Sequence, residues 1–325
     1  MSDSPKSDTD WNPTPDPRAL AFDLDRALSA LVLLHSRVPE TALTAAGLGT
    51  ERAGNGVCIG DDGLILTIGY LVTEAEQVWL TSGEGQTVQG YVVGYDQETG
   101  FGLVRTVQPL DVPFLSLGDS ESVLPGDSMI VAGHGGRDQA INAKVTTKSE
   151  FAGYWEYVLD EAIFTFPAHP NWGGAGAIGM QGELLGIGSL LVQQVTPSGE
   201  SASANMIVPI DLLKPIFDDL CSYGRRNSTP RPWMGMLVQD AGDRLVVGST
   251  YPGCPAAEAG LKPGDVVIAV AGEQPAGLAE MFRKVWSLGP AGTEIPLTVA
   301  REDHTFDVVL HSVDRHARLI SGKLH

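Results

Sequence analysis

The sequence predicts a mainly β protein, an antiparallel barrel or sandwich followed by a smaller α+β unit, and three features carry that prediction. From about residue 55 to 210, short apolar runs (GVCIG, LILTI, QVWLT, QGYVVGY, FGLVRTV, SMIVAGHGG, AIFTFP, ELLGIGSLLV, NMIVPI) alternate with Gly, Asp and Asn turn signals, the punctuation of many short strands. The run DLLKPIFDDLCSYG is apolar on one side at helical spacing and stops at Gly224, a residue that readily closes a helix in the left-handed conformation. From Trp233 to Val313 strand-like and helix-like stretches are mixed: RLVVGST, the Gly/Pro-rich YPGCPAAEAGLKPGD, VVIAVAG, GLAEMFRKVWSL, then EIPLTVARE and TFDVVLHS.

In chain order, residues 1–18 are rich in Pro, Ser and Asp with almost nothing to bury, the composition of a disordered arm. ALAFDLDRALSALVLLHSRV predicts a short helix feeding a first strand, which opens a first unit spanning 19–224. RRNSTPRP at 225–232 is basic, polar and Pro-rich and reads as a linker. The second unit takes 233–313 and leaves a tail at 314–325.

Composition narrows the function classes. Lys+Arg number 21 against 40 Asp+Glu, a formal charge of −19 that repels phosphate backbones and anionic lipid, so neither nucleic acid nor membrane is an expected partner. Cys58, Cys221 and Cys254 lie far apart without C-x-x-C spacing and read as small buried hydrophobes. The histidines lack H-x-x-x-H spacing, and neither a metal nor any other cofactor is expected. The first residues carry no basic segment leading into an apolar core, and no stretch reaches about 18 apolar residues; a cytoplasmic location is the expectation.

Several words of the sequence are similar to the HtrA/DegP-type serine proteases: GNGVCIGDDGLILT, VVGYDQETGFGLV, PNWGGAGAIGMQGELLGIG and ANMIVPIDLLKPIFDDL, then RPWMGM and PAAEAGLKPGDVVIAVAGEQP. The resemblance covers about residues 55–313. It implies a chymotrypsin-like double antiparallel β-barrel followed by a PDZ domain, an α+β module that binds extended peptides by β-augmentation. Physical reasons for the PDZ words are separate: Gly260 and Gly264 supply permissive backbone, and Asp265 can accept from nearby amides before VVIAV begins.

Acyl transfer by such a fold needs a hydroxyl, a base, a carboxylate to orient the base, and backbone donors for the oxyanion. In LILTIGYLV the family's histidine falls on Tyr70, a poor base at neutral pH. The aspartate of DQETGFGLV falls on Gly100. In HPNWGGAGA, where the family writes Gly-Asn-Ser-Gly-Gly-Pro, the serine falls on Trp172 and an oxyanion glycine on Pro170, which has no N–H. Thr67, Thr99, Asn171, Gly173 and Gly174 still match around these positions. The resemblance therefore implies a pseudoprotease, no enzyme, with Trp172 read as a plug in the cleft.

Two further readings stand beside it. One is a serine-type endopeptidase or hydrolase with a relocated site, pairing His169 or His134 with a hydroxyl such as Ser149 or Ser189; the other is a chaperone-like holdase, by analogy alone. The main expectation is a protein-binding adaptor or scaffold that captures a protein or peptide partner at the PDZ domain and, by resemblance, assembles as a homo-oligomer of the trimeric kind. Trp233, Met234, Gly235 and Met236 fall in the family's carboxylate-binding loop. Leu278, Met281, Phe282 and Val285 recur at helical spacing, on the helix that walls a PDZ groove.

Overall fold

Alternating apolar runs and tight turns fold into two barrels and a sheet in a computed structural model that describes residues 13–195 and 201–320. The arm expected at 1–18 lies outside the described residues up to 12, as does the tail beyond 320. The short helix α1 (Leu24–Ser29), capped by the Asp23 carboxylate accepting from the Arg26 N–H at 3.1 Å, leads into β1 (Leu31–Arg37). With one helical turn, α2 (Ala45–Leu48), on the way, the first barrel continues through β2 (Glu51–Cys58), β3 (Leu64–Ile68), β4 (Gln77–Thr81), β5 (Thr87–Tyr95) and β6 (Phe101–Thr106). It closes in the order β1-β2-β3-β6-β5-β4. Every residue of β3, Leu-Ile-Leu-Thr-Ile, is buried, which is why that stretch reads as an unbroken apolar run.

The second barrel repeats this connectivity with β7 (Ser128–Ala132), β8 (Ala140–Gly153), β9 (Tyr157–Phe166), β10 (Gly176–Ile178), β11 (Leu184–Val195) and β12 (Ser201–Pro209), closed as β10-β11-β12-β9-β8-β7. Closure removes free sheet edges in both barrels. Helix α3 (Phe217–Tyr223) follows, and Gly224 ends it at φ 72° with its N–H donated to the Leu220 carbonyl. The C-terminal sheet runs β13 (Met236–Asp240), β14 (Leu245–Thr250), β15 (Val266–Val270), β16 (Glu294–Arg301) and β17 (His304–His311) as a meander, with helices α4 (Pro255–Glu258) and α5 (Leu278–Ser287) between strands. Asp265 accepts from the Lys262 N–H at 2.8 Å and pairs with Arg301, so the carboxylate both caps the turn before β15 and ties it to β16.

One residue stitches the two barrels. Asn55, buried on β2, donates from Nδ2 to the carbonyls of Asn171 and Gly173 and accepts at Oδ1 from the His134 N–H. Its own N–H bonds the Gly173 carbonyl at 2.8 Å, and its carbonyl accepts from Thr67 Oγ1 at 2.6 Å. Gly174 has to be glycine here: at φ 76° a Cβ would stand 1.9 Å from the Asn55 carbonyl oxygen.

The segment that reads as a linker is pinned by charge. Arg226 bonds Asp96 at 3.1 Å, Arg231 pairs with Glu98 at 2.9 Å and lies 4.4 Å over the Trp286 ring, and Arg225 meets Asp314 at 3.0 Å. Cys58 and Cys254 are buried and Cys221 half-buried, all with free thiols. Among the described residues no helix is long and apolar enough to cross a membrane. Replacing Asn55 by Ala strands the Asn171 carbonyl and the His134 N–H at the seam between the barrels, while the Gly173 carbonyl keeps its bond from the backbone N–H of residue 55; at about 1–3 kcal/mol per buried unpaired group, partly relieved by relaxation, a loss of roughly 2–4 kcal/mol is expected in chemical denaturation.

Candidate functional site

The cleft between the barrels gathers the segments that carry Tyr70, Gly100 and Trp172. Tyr70 stands in a 3-10 turn, Gly69–Leu71, directly after β3. Its hydroxyl donates to the Ser189 carbonyl on β11 at 2.8 Å, and its own carbonyl accepts from Arg52. Burial pushes the phenol far above its ordinary pKa, opposed by a hydrogen bond with the Trp172 side chain. Tyr70 and Trp172 are thus brought together, and the half-buried indole belongs to the loop that Asn55 holds.

Gly100 sits before β6 at φ 84°, and its carbonyl takes the Gly69 N–H at 2.6 Å. A Cβ there would meet the Tyr157 hydroxyl at 3.3 Å, because Tyr157 reaches across from β9 to donate to the Thr99 carbonyl at 2.7 Å. A tyrosine from the second barrel therefore fills the space beside Gly100. Pro170 precedes Asn171 in the same loop as Trp172.

His169 and His134, the two histidines considered for a relocated site, are both engaged with main-chain carbonyls. His169 is buried; Nδ1 accepts from the Asn171 N–H at 3.1 Å, which leaves Nε2 protonated and donating to the Gln139 carbonyl at 3.1 Å. Burial holds its pKa below the usual value. His134 Nε2 lies 3.1 Å from the Ser82 carbonyl. Ser189 is buried and Ser149 exposed on β8. Among the described residues no cluster of His, Cys, Asp and Glu is arranged to hold a metal.

The second constellation lies where the barrels meet the C-terminal sheet. Gly235 takes φ 74° against the Cys254 side chain, where a Cβ would come within 2.6 Å of Cys254 Cβ. That left-handed residue turns the N–H groups of Met234, Gly235 and Met236 toward one point, as successive amides in such a loop form an anion-binding concavity. A carboxylate already occupies it. Glu156 Oε1 accepts from Gly235 at 2.8 Å and from Met236 at 3.4 Å, while Oε2 accepts from Met234 at 3.0 Å.

Glu156 ends the three-residue turn between β8 and β9 at φ 60°, the left-handed position that usually carries Gly in such hairpins. Two residues earlier the Tyr154 carbonyl accepts from the Val238 N–H at 2.8 Å, so the hairpin also bonds the edge of β13. Ala152 and Val158 pack into the core of the sheet domain, and Arg283 on α5 pairs with Glu150 and Asp160 on the hairpin's two strands. The hairpin lies between β13 and α5, the walls of the groove.

The residues expected to line a groove are all buried. Trp233, bridged to Val313, packs beside Tyr251 and under Arg315. Met234, Met236, Leu278, Met281, Phe282 and Val285 are buried in one cluster. Sequence reading missed Glu156 and Tyr154. The one signal available was a glutamate in the aromatic turn YWEY, at a site where turn chemistry favours glycine.

Two family models match the chain, a trypsin-like peptidase domain over residues 54–187 and a PDZ domain over 246–301. Probable periplasmic DegP-like serine endoproteases of Chlamydia trachomatis and Halomonas elongata are 25% and 26% identical over 78% and 79% of this chain. Their matched parts amount to 52% and 56% of their own lengths, so the chain spans about half of each. The chain thus joins a trypsin-like peptidase domain to a PDZ domain and is similar to DegP-like endoproteases over most of its length. The solved HtrA-type protease AlgW with decapeptide, 19% identical, superimposes with a TM-score of 0.52 over 90% of this chain and 97% of that one; the tripeptide complex of the same protease gives 0.51 at 20% identity, over 89% and 95%. These likenesses agree on the fold, a double barrel followed by a PDZ domain.

Two expectations are corrected by the relatives. The relatives just given are named serine endoproteases, which overturns the expectation that the chain is no enzyme. They are also named periplasmic, which overturns the expectation of a cytoplasmic location. The first error came from treating three sequence positions as a complete account of the chemistry, the second from reading an address into the first residues of the chain.

The buried Glu156 carboxyl has its pKa pushed up from 4.5 to about 7 by desolvation, with the three backbone donors and Arg315 pulling the other way. Burial raises the Tyr251 phenol and the Cys254 thiol, and the Glu156 charge adds to both shifts. An undocked hairpin would return the carboxyl to solvent and its ordinary value. The docked form therefore holds its proton where the undocked form has lost it, and docking is strongest below pH 4.5 and weakens as pH rises to about 7. Glu156→Gln removes the titrating group, so the thermal stability of the wild type relative to this variant is expected to fall across that interval; a constant difference would contradict the assignment.

Proposed function

We propose that this chain recognises extended polypeptide segments at its PDZ groove. The observation that carries the reading is the convergence of the Met234, Gly235 and Met236 N–H groups on one carboxylate, beside a β13 edge whose Val238 N–H donates to a main-chain carbonyl. These are the hydrogen bonds by which a strand ending in a free carboxylate adds to a sheet edge. Trp233, Met234, Gly235 and Met236 form the carboxylate loop, and Leu278, Met281, Phe282 and Val285 back the groove from α5, with methionine thioethers able to adapt to different apolar side chains. The barrels carry this groove and supply the surface for self-association. In full-length protein, calorimetric titration with peptides that differ only at their last group is expected to show binding of the free acid and none of the amide; equal binding of both, or of neither at millimolar peptide, would count against the reading.

The relatives' names favour a second reading, peptide-bond hydrolysis of the serine-endopeptidase type. Any such reaction in this chain would draw its nucleophile from a hydroxyl outside the positions of Tyr70, Gly100 and Trp172. It predicts a covalent fluorophosphonate adduct at one serine, mapped by mass spectrometry, with Ser149 and Ser189 the two to inspect first. Absence of both an adduct and peptide turnover would remove it.

A further inference from the structure

The groove that would take a peptide is filled by the chain itself. Glu156 presents its side-chain carboxylate to the amides of residues 234–236, Tyr154 supplies the main-chain carbonyl for the strand edge, and Val158 lends an apolar side chain to the cluster containing Met234, Met236 and Phe282. Each is a feature an external peptide would have to provide. The placement is also locally strained: a non-glycine residue at φ 60° persists where its surroundings over-determine it, and here the surroundings are the three amides.

We propose that the β8–β9 hairpin is an internal ligand of the PDZ groove, displaced by the free C-terminal carboxylate of a polypeptide with an apolar last residue. Peptide capture and release of the hairpin are then one event. The event reaches the cleft between the barrels, because the residue after Glu156 is Tyr157, whose hydroxyl holds the Thr99 carbonyl next to Gly100. The proposal rests on the reading of the groove as a peptide site, and its test separates the two.

Glu156→Gly removes the carboxylate while suiting the left-handed backbone, so the hairpin turn is kept. The probe is a fluorescein-labelled decapeptide ending in valine, as free acid and as amide, titrated into the full chain; amide hydrogen exchange at residues 234–238 is measured without peptide. When an occupant must leave before binding, apparent affinity is reduced by the fraction of open groove. The variant is expected to bind the free acid roughly tenfold or more tightly than wild type does, with the amide form excluded and with faster exchange at 234–238. Unchanged protection, or equal affinity in wild type and variant, overturns the internal ligand and leaves peptide recognition intact. Lost protection without binding of the free acid overturns the peptide reading of the groove, and displacement with it.

Discussion

A carboxylate shut away from water is tolerable only where donors surround it, and the seam between the barrels and the PDZ domain is organised around meeting that condition for Glu156. The demand sets the left-handed turn at Gly235, the left-handed end of the β8–β9 hairpin and the edge bond between Tyr154 and Val238. Around it the two units share a core, since Ala152 and Val158 of the barrel pack with the PDZ residues. Charge closes the rim: Arg283 spans Glu150 and Asp160, while Arg226 and Arg231 hold the connecting segment to Asp96 and Glu98. Rim pairs of this kind contribute little energy each; their effect is to fix the angle at which the hairpin enters the groove.

A second buried polar residue plays the matching part between the barrels. Asn55 satisfies carbonyls and an N–H from the loops carrying Trp172 and His134, so those loops are tied to β2 although neither belongs to a strand. Tyr70 is locked to β11 by its hydroxyl, and Tyr157 occupies the space beside Gly100. The cleft is therefore packed through hydrogen bonds of tyrosines to main-chain carbonyls. The same fold appears in solved HtrA-type proteases, and the chain's relatives are serine endoproteases by name.

Tyr157 joins these two regions. It follows Glu156 in sequence, so a hairpin seated in the PDZ groove and a closed space beside Gly100 are consequences of the same strand position. Long β-strands transmit such a shift as a unit, since moving one residue of a ladder moves its register partners.

Much of the architecture was legible in the residues. Short apolar runs, turn glycines and the helix stop at Gly224 depend on neighbours close in sequence, and each marked its element. The PDZ signature and the carboxylate loop were readable for the same reason, as continuous words whose backbone requirements are local. What fills that loop was decided only by tertiary structure: Glu156 lies 78 residues before Met234, in a turn whose side chain could as well have faced water. The pinning of the linker at 225–232 was hidden for the same reason, because Arg226 and Arg231 find their carboxylates 130 residues away or more. Sequence alone determined which segments become strands, where they turn and which loop can hold an anion. Folding decided which anion sits there, because the partner of a buried charge is chosen by distance in space.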